Sequence, residues 1–191
     1  MSKITATNVL YAAHVHFWLK NCRIQGFNSF ALHKSFEADL LAMTQAGYVH
    51  EVEIKVSRAD FKKDFEKAGM HNETGKWTGW MPNTQKHQLI KDGKLANYFW
   101  FAAPSGLIKP EEIPPYAGLI EVSQGYSSFR ADVTVKAPKI HGNKVPDKFK
   151  SKLLESMMYR AWKVVEQKKD LELALQSRDA EIALLRKGGR A

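Results

Sequence analysis

The sequence predicts an α/β domain, a central sheet flanked by helices, that continues into one long C-terminal helix. Three observations carry this prediction. Apolar and aromatic runs of strand length recur at 36–44, 48–56, 98–103, 117–122 and 128–135, and short runs bounded by Gly, Pro or polar residues suit strands. Segments with helical capping or periodicity lie before and between them, at 7–20, 57–69 and 86–91. The stretch from Asp147 to Lys187 contains neither Gly nor Pro, so nothing in it breaks a helix.

Thr7 or Asn8 is placed to cap a first helix running to about Lys20, with Val9, Ala13, His16 and Phe17 along one stripe. The runs 36–44 and 48–56 are separated by Gln45-Ala46-Gly47. Gly accepts the positive φ of a tight turn, so the pair reads as an antiparallel hairpin. Ser57 caps the next helix, Asp60 stands where a capping box has its acid, and Phe61 and Phe65 share the buried face up to an end near Ala68-Gly69. Residues 68–85 mix Gly, Pro, Asn and two Trp without a period and read as a long loop. A short helix at 86–91 follows, then strands 98–103 and 117–122 joined by a proline-bounded turn at 104–115, with 128–135 as an edge strand. A break at 138–146 divides the chain into a domain of residues 1–145 and a C-terminal helix of residues 146–191.

Hydrophobic residues at 44% and charged residues at 26% of 191 suffice for one filled core and exclude a disordered or low-complexity chain. Cys22 is the only cysteine, which excludes an intrachain disulfide and a cysteine-based zinc cluster and suits a reducing compartment. The apolar run 9–19 carries His14 and His16, is too short to span a bilayer and lacks a small-residue cleavage site. A soluble, cytoplasmic protein with no membrane partner is expected. Twenty-nine Lys and Arg against 20 acids give a net charge of +9 and a pI near 9.5, which attracts polyanions, nucleic acid ahead of anionic lipid. P-loop, dinucleotide-binding glycine and serine-elbow motifs are all missing.

Glu51, Glu53 and Lys55 share one face of the second hairpin strand, while Val52, Ile54 and Val56 share the other. If that strand is central, burying these charges unpaired is costly, and a metal ion with a polyanionic substrate offsets the cost. Asp39 lies fourteen positions before Glu53 on the neighbouring strand, so the hairpin brings both carboxylates to one end of the sheet. Two carboxylates, a main-chain carbonyl such as that of Ile54, and waters form the hard-oxygen set that Mg²⁺ takes, with Mn²⁺ able to substitute. Glu37 shares the face of Asp39, either as an extra ligand or as a solvated strand-end acid. Lys55, one pleat beyond Glu53, is placed to steer or deprotonate an attacking water and to hold a phosphate oxygen.

Asp-x(13)-Glu-x-Lys across a hairpin, followed at once by a capped helix, resembles the PD-(D/E)xK nuclease superfamily. Ala-Asp-Leu-Leu-Ala-Met, Val-His-Glu-Val-Glu-Ile-Lys-Val-Ser-Arg-Ala-Asp-Phe, Tyr-Phe-Trp-Phe-Ala-Ala-Pro and Ala-Gly-Leu-Ile-Glu-Val are similar to segments of its MmcB-type DNA-repair proteins, over residues 35–123. The resemblance implies a restriction-endonuclease-like mixed central sheet. It also implies Asp39 and Glu53 as metal ligands, Lys55 as the catalytic lysine, and Ser57 and Asp60 as organisers of the following helix. The implied activity is Mg²⁺-dependent hydrolysis of DNA phosphodiesters in repair, recombination or a phage or mobile-element programme, in a bacterial cytoplasm. Two features depart from the pattern. Ala38 stands where the superfamily name has Pro. No Asp or Glu lies between Met1 and Phe36, so the acid that many members carry on the N-terminal helix is missing and a one-metal site is easier to build than a two-metal site. A second class of function stays open, a non-catalytic protein that uses this fold as a platform for DNA or a protein partner.

Against the family pattern, residues 68–85 form an insertion. Between Lys76 and Lys109 there are five lysines and one acid, Asp92. The candidate DNA contacts are Lys76, Trp77, Trp80, Lys86, His87 and Lys91. Trp77 and Trp80 serve either as stacking platforms suited to single-stranded or branched DNA, or as a lid folded over the sheet. In the C-terminal helix, Leu154, Met157, Ala161, Val164, Lys168, Leu171, Leu175, Arg178, Ile182 and Leu185 recur at alternating spacings of three and four. Lys168 and Arg178 interrupt this heptad-like stripe, and both a coiled-coil homodimer and a helix packed on its own domain satisfy it.

Overall fold

The computed structural model describes residues 3–80 and 82–188, with side chains throughout that range except at 180 and 183–188. Leu185 of the heptad stripe lies outside the described side chains. The first helix, α1, spans Ala6–Leu19, and its cap is Thr5 instead of Thr7 or Asn8. Thr5 Oγ1 accepts the Asn8 N–H while Asn8 Oδ1 accepts the Thr5 N–H, so Asn8 fills the reciprocal position of a capping box. Val9, Ala12, Ala13 and Phe17 are buried on one side.

A strand that the hydrophobic pattern does not announce comes next. β1 (Ile24–Ser29) pairs antiparallel with β2 (Ala38–Met43), which pairs antiparallel with β3 (Val49–Ile54). Gln25, Gly26 and Asn28 deprive β1 of any apolar alternation, and it is the pairing with β2 that makes it a strand. The β2–β3 turn is as expected, with Gly47 at φ +86°. Helix α2 (Arg58–Asp64) is capped by Ser57, whose Oγ accepts the Asp60 N–H. It ends before the expected Ala68-Gly69, because those two residues form β4, which pairs with β5 (Thr84–Gln85). Residues 68–85 are therefore a hairpin-like arm, with a second bridge between His71 and Trp77, and not an unpaired loop.

Helix α3 (Lys86–Lys91) and strands β6 (Tyr98–Pro104), β7 (Ala117–Gln124) and β8 (Phe129–Val135) complete the sheet. Its order is β1-β2-β3-β6-β7-β8. β3, β6 and β7 run parallel to one another, and the remaining neighbours are antiparallel. The segment between β6 and β7 is thus a crossover carrying a 3₁₀ turn at Pro110–Glu112, as parallel strands require, and not a simple proline-bounded turn. β8 is an edge strand, as is β1 at the other side, and β3 is central.

The sheet has two covered faces. Leu40, Ala42, Val52, Ile54, Trp100, Ala102, Ile120 and Val122 pack with α1. On the other face Phe99, Phe101 and Leu119 pack with Phe61 of α2 and Leu89 and Ile90 of α3. Helix α4 spans Asp147–Gly188. Its first turns belong to the sheet domain, with Phe149 and Leu153 buried against Ala38, Leu41 and Val49, so this compact unit extends to Leu154 and not to 145. The rest of α4, from Glu155 on, forms the second unit.

Candidate active site

The alternation along β3 sends Glu51, Glu53 and Lys55 to the face covered by α2 and α3. All three are almost fully buried. Burial without partners would be prohibitive, and the flanking helices supply those partners. Lys55 Nζ lies 3.1 Å from Glu53 Oε2 and 2.6 Å from Asp64 Oδ1 at the end of α2. Lys67 Nζ bridges the same two carboxylates, 2.6 Å from Glu53 and 2.7 Å from Asp64. Lys86, at the first position of α3, reaches Glu51 at 2.7 Å and Glu53 at 2.5 Å. His87 Nε2 is 2.8 Å from Asp64 Oδ2, and its Nδ1 is 2.8 Å from the Tyr116 hydroxyl.

Asp39 sits beside this network on β2. Its Oδ2 accepts the main-chain N–H of Ile54 at 2.7 Å, which locks the carboxylate to the end of β3. It also lines a cleft of about 320 Å³ with Ser35, Phe36, Glu37, Lys67 and Ala68. The hairpin thus joins Asp39 to the Glu53–Lys55 pair, and exposed Glu37 stands at the same opening.

The electrostatics follow from the pairing. Burial raises the Asp39 carboxyl above its usual range, and the negative charge of Glu53 adds to it against the pull of the Ile54 N–H and Lys55. Burial likewise raises Glu51 in spite of Lys86, and one oxygen of Glu51, Oε2, is buried without a partner. Burial alone would depress Lys55 and Lys86, yet the carboxylates around them outweigh it and hold both above the ordinary lysine range. Asp64 goes the other way. Burial opposes its ionisation, but the His87 hydrogen bond and the charges of Lys55 and Lys67 hold it far below the carboxylate norm.

Carboxylate oxygens are the ligand type that hard divalent cations take. Four carboxylates (Asp39, Glu51, Glu53 and Asp64) meet three ammonium groups (Lys55, Lys67 and Lys86), one fewer. Among the described residues no three His, Cys, Asp or Glu side chains form a metal cage. The carboxylates that line the cleft are Glu37 and Asp39, and Glu53 is buried beside them. Lys67, 38% exposed, is the one ammonium of the three with a route to solvent, so a cation reaching Glu53 from the cleft must displace it.

Several expected residues fall in unexpected places. Lys86 and His87 are buried inside the network, so they hold Glu51, Glu53 and Asp64 and present no surface to a nucleic acid. Lys76 and Lys91 are exposed, with the Lys91 ammonium over the Tyr116 ring. Trp77 and Trp80 are 49% and 85% exposed and meet edge to face at 5.5 Å, an outward platform and not a lid. The arm that carries them is tied to the cleft wall by Ser35, whose Oγ accepts the His71 N–H. The Asp60 main-chain N–H donates to the Ser57 cap, and the Asp60 carboxylate lies 4.0 Å from Lys55. Asp64, Lys67 and the role of Glu51 escaped the sequence reading. The i,i+3 spacing of Asp64 and Lys67 was the one available signal.

No family model matches the chain, and no curated protein matches it. Among solved structures it is similar to SPO1766, a protein of unknown function from Silicibacter pomeroyi. The two share 15% identity and a TM-score of 0.57 over 90% of this chain and 94% of that one. The similarity supports the α/β architecture of a mixed six-stranded sheet flanked by helices with a long C-terminal helix. Among the described residues no helix is long and apolar enough to cross a membrane.

Proposed function

We propose that the chain is a Mg²⁺-dependent DNA nuclease on a restriction-endonuclease-like sheet. The observation that carries this reading is the joining of Asp39, Glu53 and Lys55 at one end of the central strand, beside an open cleft. In this reading Asp39 and Glu53, with the Ile54 carbonyl, hold the ion, and Glu37 stands at the same mouth. Bound there, the ion would polarise the scissile phosphodiester and lower the pKa of an attacking water, a task that Mn²⁺ also performs. Lys55 is anchored by Asp64 and orients the water or a phosphate oxygen. Lys67, freed from Glu53, adds a positive charge at the cleft mouth. Trp77 and Trp80 provide stacking for unpaired bases, worth about 1–3 kcal/mol per base, with Lys76 and Lys91 as phosphate contacts on a chain of net charge +9. Single-stranded or branched DNA suits this combination.

One observation favours a second reading, a non-catalytic DNA- or protein-binding module. Both oxygens of Glu53 are engaged by lysines, on Oε2 by Lys55 and Lys67 and on Oε1 by Lys86, so the network is complete as an ion-pair cluster. One experiment separates the two. Labelled single-stranded, duplex, flap and four-way-junction DNA are incubated with Mg²⁺, Mn²⁺ or EDTA, using wild type, Asp39→Asn and Lys55→Met. The nuclease reading expects metal-dependent cutting that falls about 100-fold or more in both variants, with circular dichroism unchanged. Binding without cutting supports the platform, and cutting retained in both variants removes Asp39 and Lys55 from the chemistry.

A further inference from the structure

Residues 155–188 belong to a single helix, and among its described side chains the apolar ones find nothing to cover them within their own unit. Val164, Leu171 and Leu175 are each more than 60% exposed, and Ile182 is 40% exposed. A helix gains most of its stability from packing such a face, and this stripe runs from Met157 to Ile182, nearly four heptads. We propose that α4 pairs with α4 of a second copy of this chain as an antiparallel two-stranded coiled coil. This inference is independent of the nuclease reading.

The orientation follows from the two residues that interrupt the stripe. Counting Ala161, Lys168, Leu175 and Ile182 as a positions makes Met157, Val164, Leu171 and Arg178 d positions. A parallel pair would set Lys168 against Lys168 and Arg178 against Arg178 inside the seam, two like-charge contacts. Antiparallel, each a faces a d of the second copy. One register then matches Met157 with Ile182, Val164 with Leu175, Lys168 with Leu171, and Arg178 with Ala161, the longest side chain against the smallest. The neighbouring registers are worse. One sets Lys168 against Arg178, and the other sets Ile182 against Lys150.

The flanks agree with the chosen register. Arg160 and Glu181, both at g positions, face each other across it with opposite charge. The Lys168 ammonium lies 3.8 Å from Glu172 on its own helix, so its charge leaves the seam while its stem covers Leu171. At the start of the helix, Met158 and Val165 occupy e positions and widen the apolar surface. The Trp162 indole N–H is satisfied by Glu166 at 2.7 Å.

Sedimentation equilibrium of the full chain tests association, and disulfide trapping tests orientation. The expected mass is twice that of the 21.7 kDa chain, falling to the monomer in Leu171→Glu/Leu175→Glu with the circular dichroism of the sheet retained. Cys22 is buried, so introduced thiols report without background. Val164→Cys mixed with Leu175→Cys should form a cross-linked pair under mild oxidation, while either variant alone should not. A monomeric wild type, a glutamate variant that stays dimeric, a dimer without the mixed cross-link, or self-cross-linking of the single variants each overturns the proposal.

Discussion

The two faces of β3 experience similar burial and solve it by opposite chemistry. On one face Val52 and Ile54 disappear into an apolar cluster with α1, where stabilisation scales with area removed from water. On the other, Glu51, Glu53 and Lys55 disappear into a cluster of charges closed by Asp64, Lys67 and Lys86. His50 and Lys55 make the contrast concrete. Burial depresses both. For Lys55 the carboxylates reverse the effect, whereas no counter-charge among the described residues acts on His50, and burial together with the nearby His16 takes it down to about 4. An apolar face tolerates the loss of one partner in proportion to the atoms removed, while a charged face depends on the set being complete.

Asp64→Ala gives the strongest test of that difference. It takes from Lys55 the nearer of its two buried carboxylates, leaves Glu53, which Lys86 also engages, to serve Lys55 and Lys67 without it, and leaves His87 without its carboxylate. Urea denaturation should show a loss of about 3–5 kcal/mol. A loss below 1 kcal/mol would mean that water enters the network and screens it. On the apolar face Leu40→Ala, at a fully buried position, should cost about 3 kcal/mol. On the proposed nuclease reading it should leave metal-dependent cutting unchanged, whereas Asp64→Ala, which loosens Lys55, should lower it.

The third test sharpens the contrast by pH. His50 is held neutral in the folded chain, with the Trp100 indole N–H donating to its Nδ1 at 3.1 Å, and its folded value of about 4 lies below the ordinary 6.5. The unfolded chain therefore takes up the proton first. Stability is full above about pH 6.5 and declines as pH falls toward 4, by about 3 kcal/mol at most. His50→Gln keeps an acceptor for Trp100 and should flatten this decline in pH-dependent urea melts, whereas an unchanged slope would assign the decline to other groups. The smallest effect is local. Ser57→Ala removes the α2 cap and should cost about 1 kcal/mol in the same melts.

Much of the fold was legible residue by residue. Ser57 announced α2, Gly47 the β2–β3 turn, and the odd–even alternation from Glu51 to Val56 the two faces of β3, because capping, positive φ and strand pleat are properties of adjacent residues. The Asp39, Glu53 and Lys55 grouping was legible for the same reason, since a three-residue turn leaves a hairpin little freedom in register. By contrast, β1 carries no alternation and exists because β2 offers an unpaired edge. The extent of α2 and the pairing within the arm at 68–85 leave no local signal, because β4 and β5 are too short to announce themselves without each other.

What the sequence determined by itself, then, is the chemistry on offer: a basic chain, a charged stripe on a strand, a capped helix after it and a long heptad-bearing tail. Each depends on interactions within a few residues. Tertiary structure alone decided that Lys86 and His87 turn inward, that Lys67 shares Glu53 with Lys55, and that Asp64 anchors the catalytic candidate. Those choices depend on where α2 and α3 land on the sheet, and a charge buried by distant segments takes whichever counter-charge the fold brings within reach.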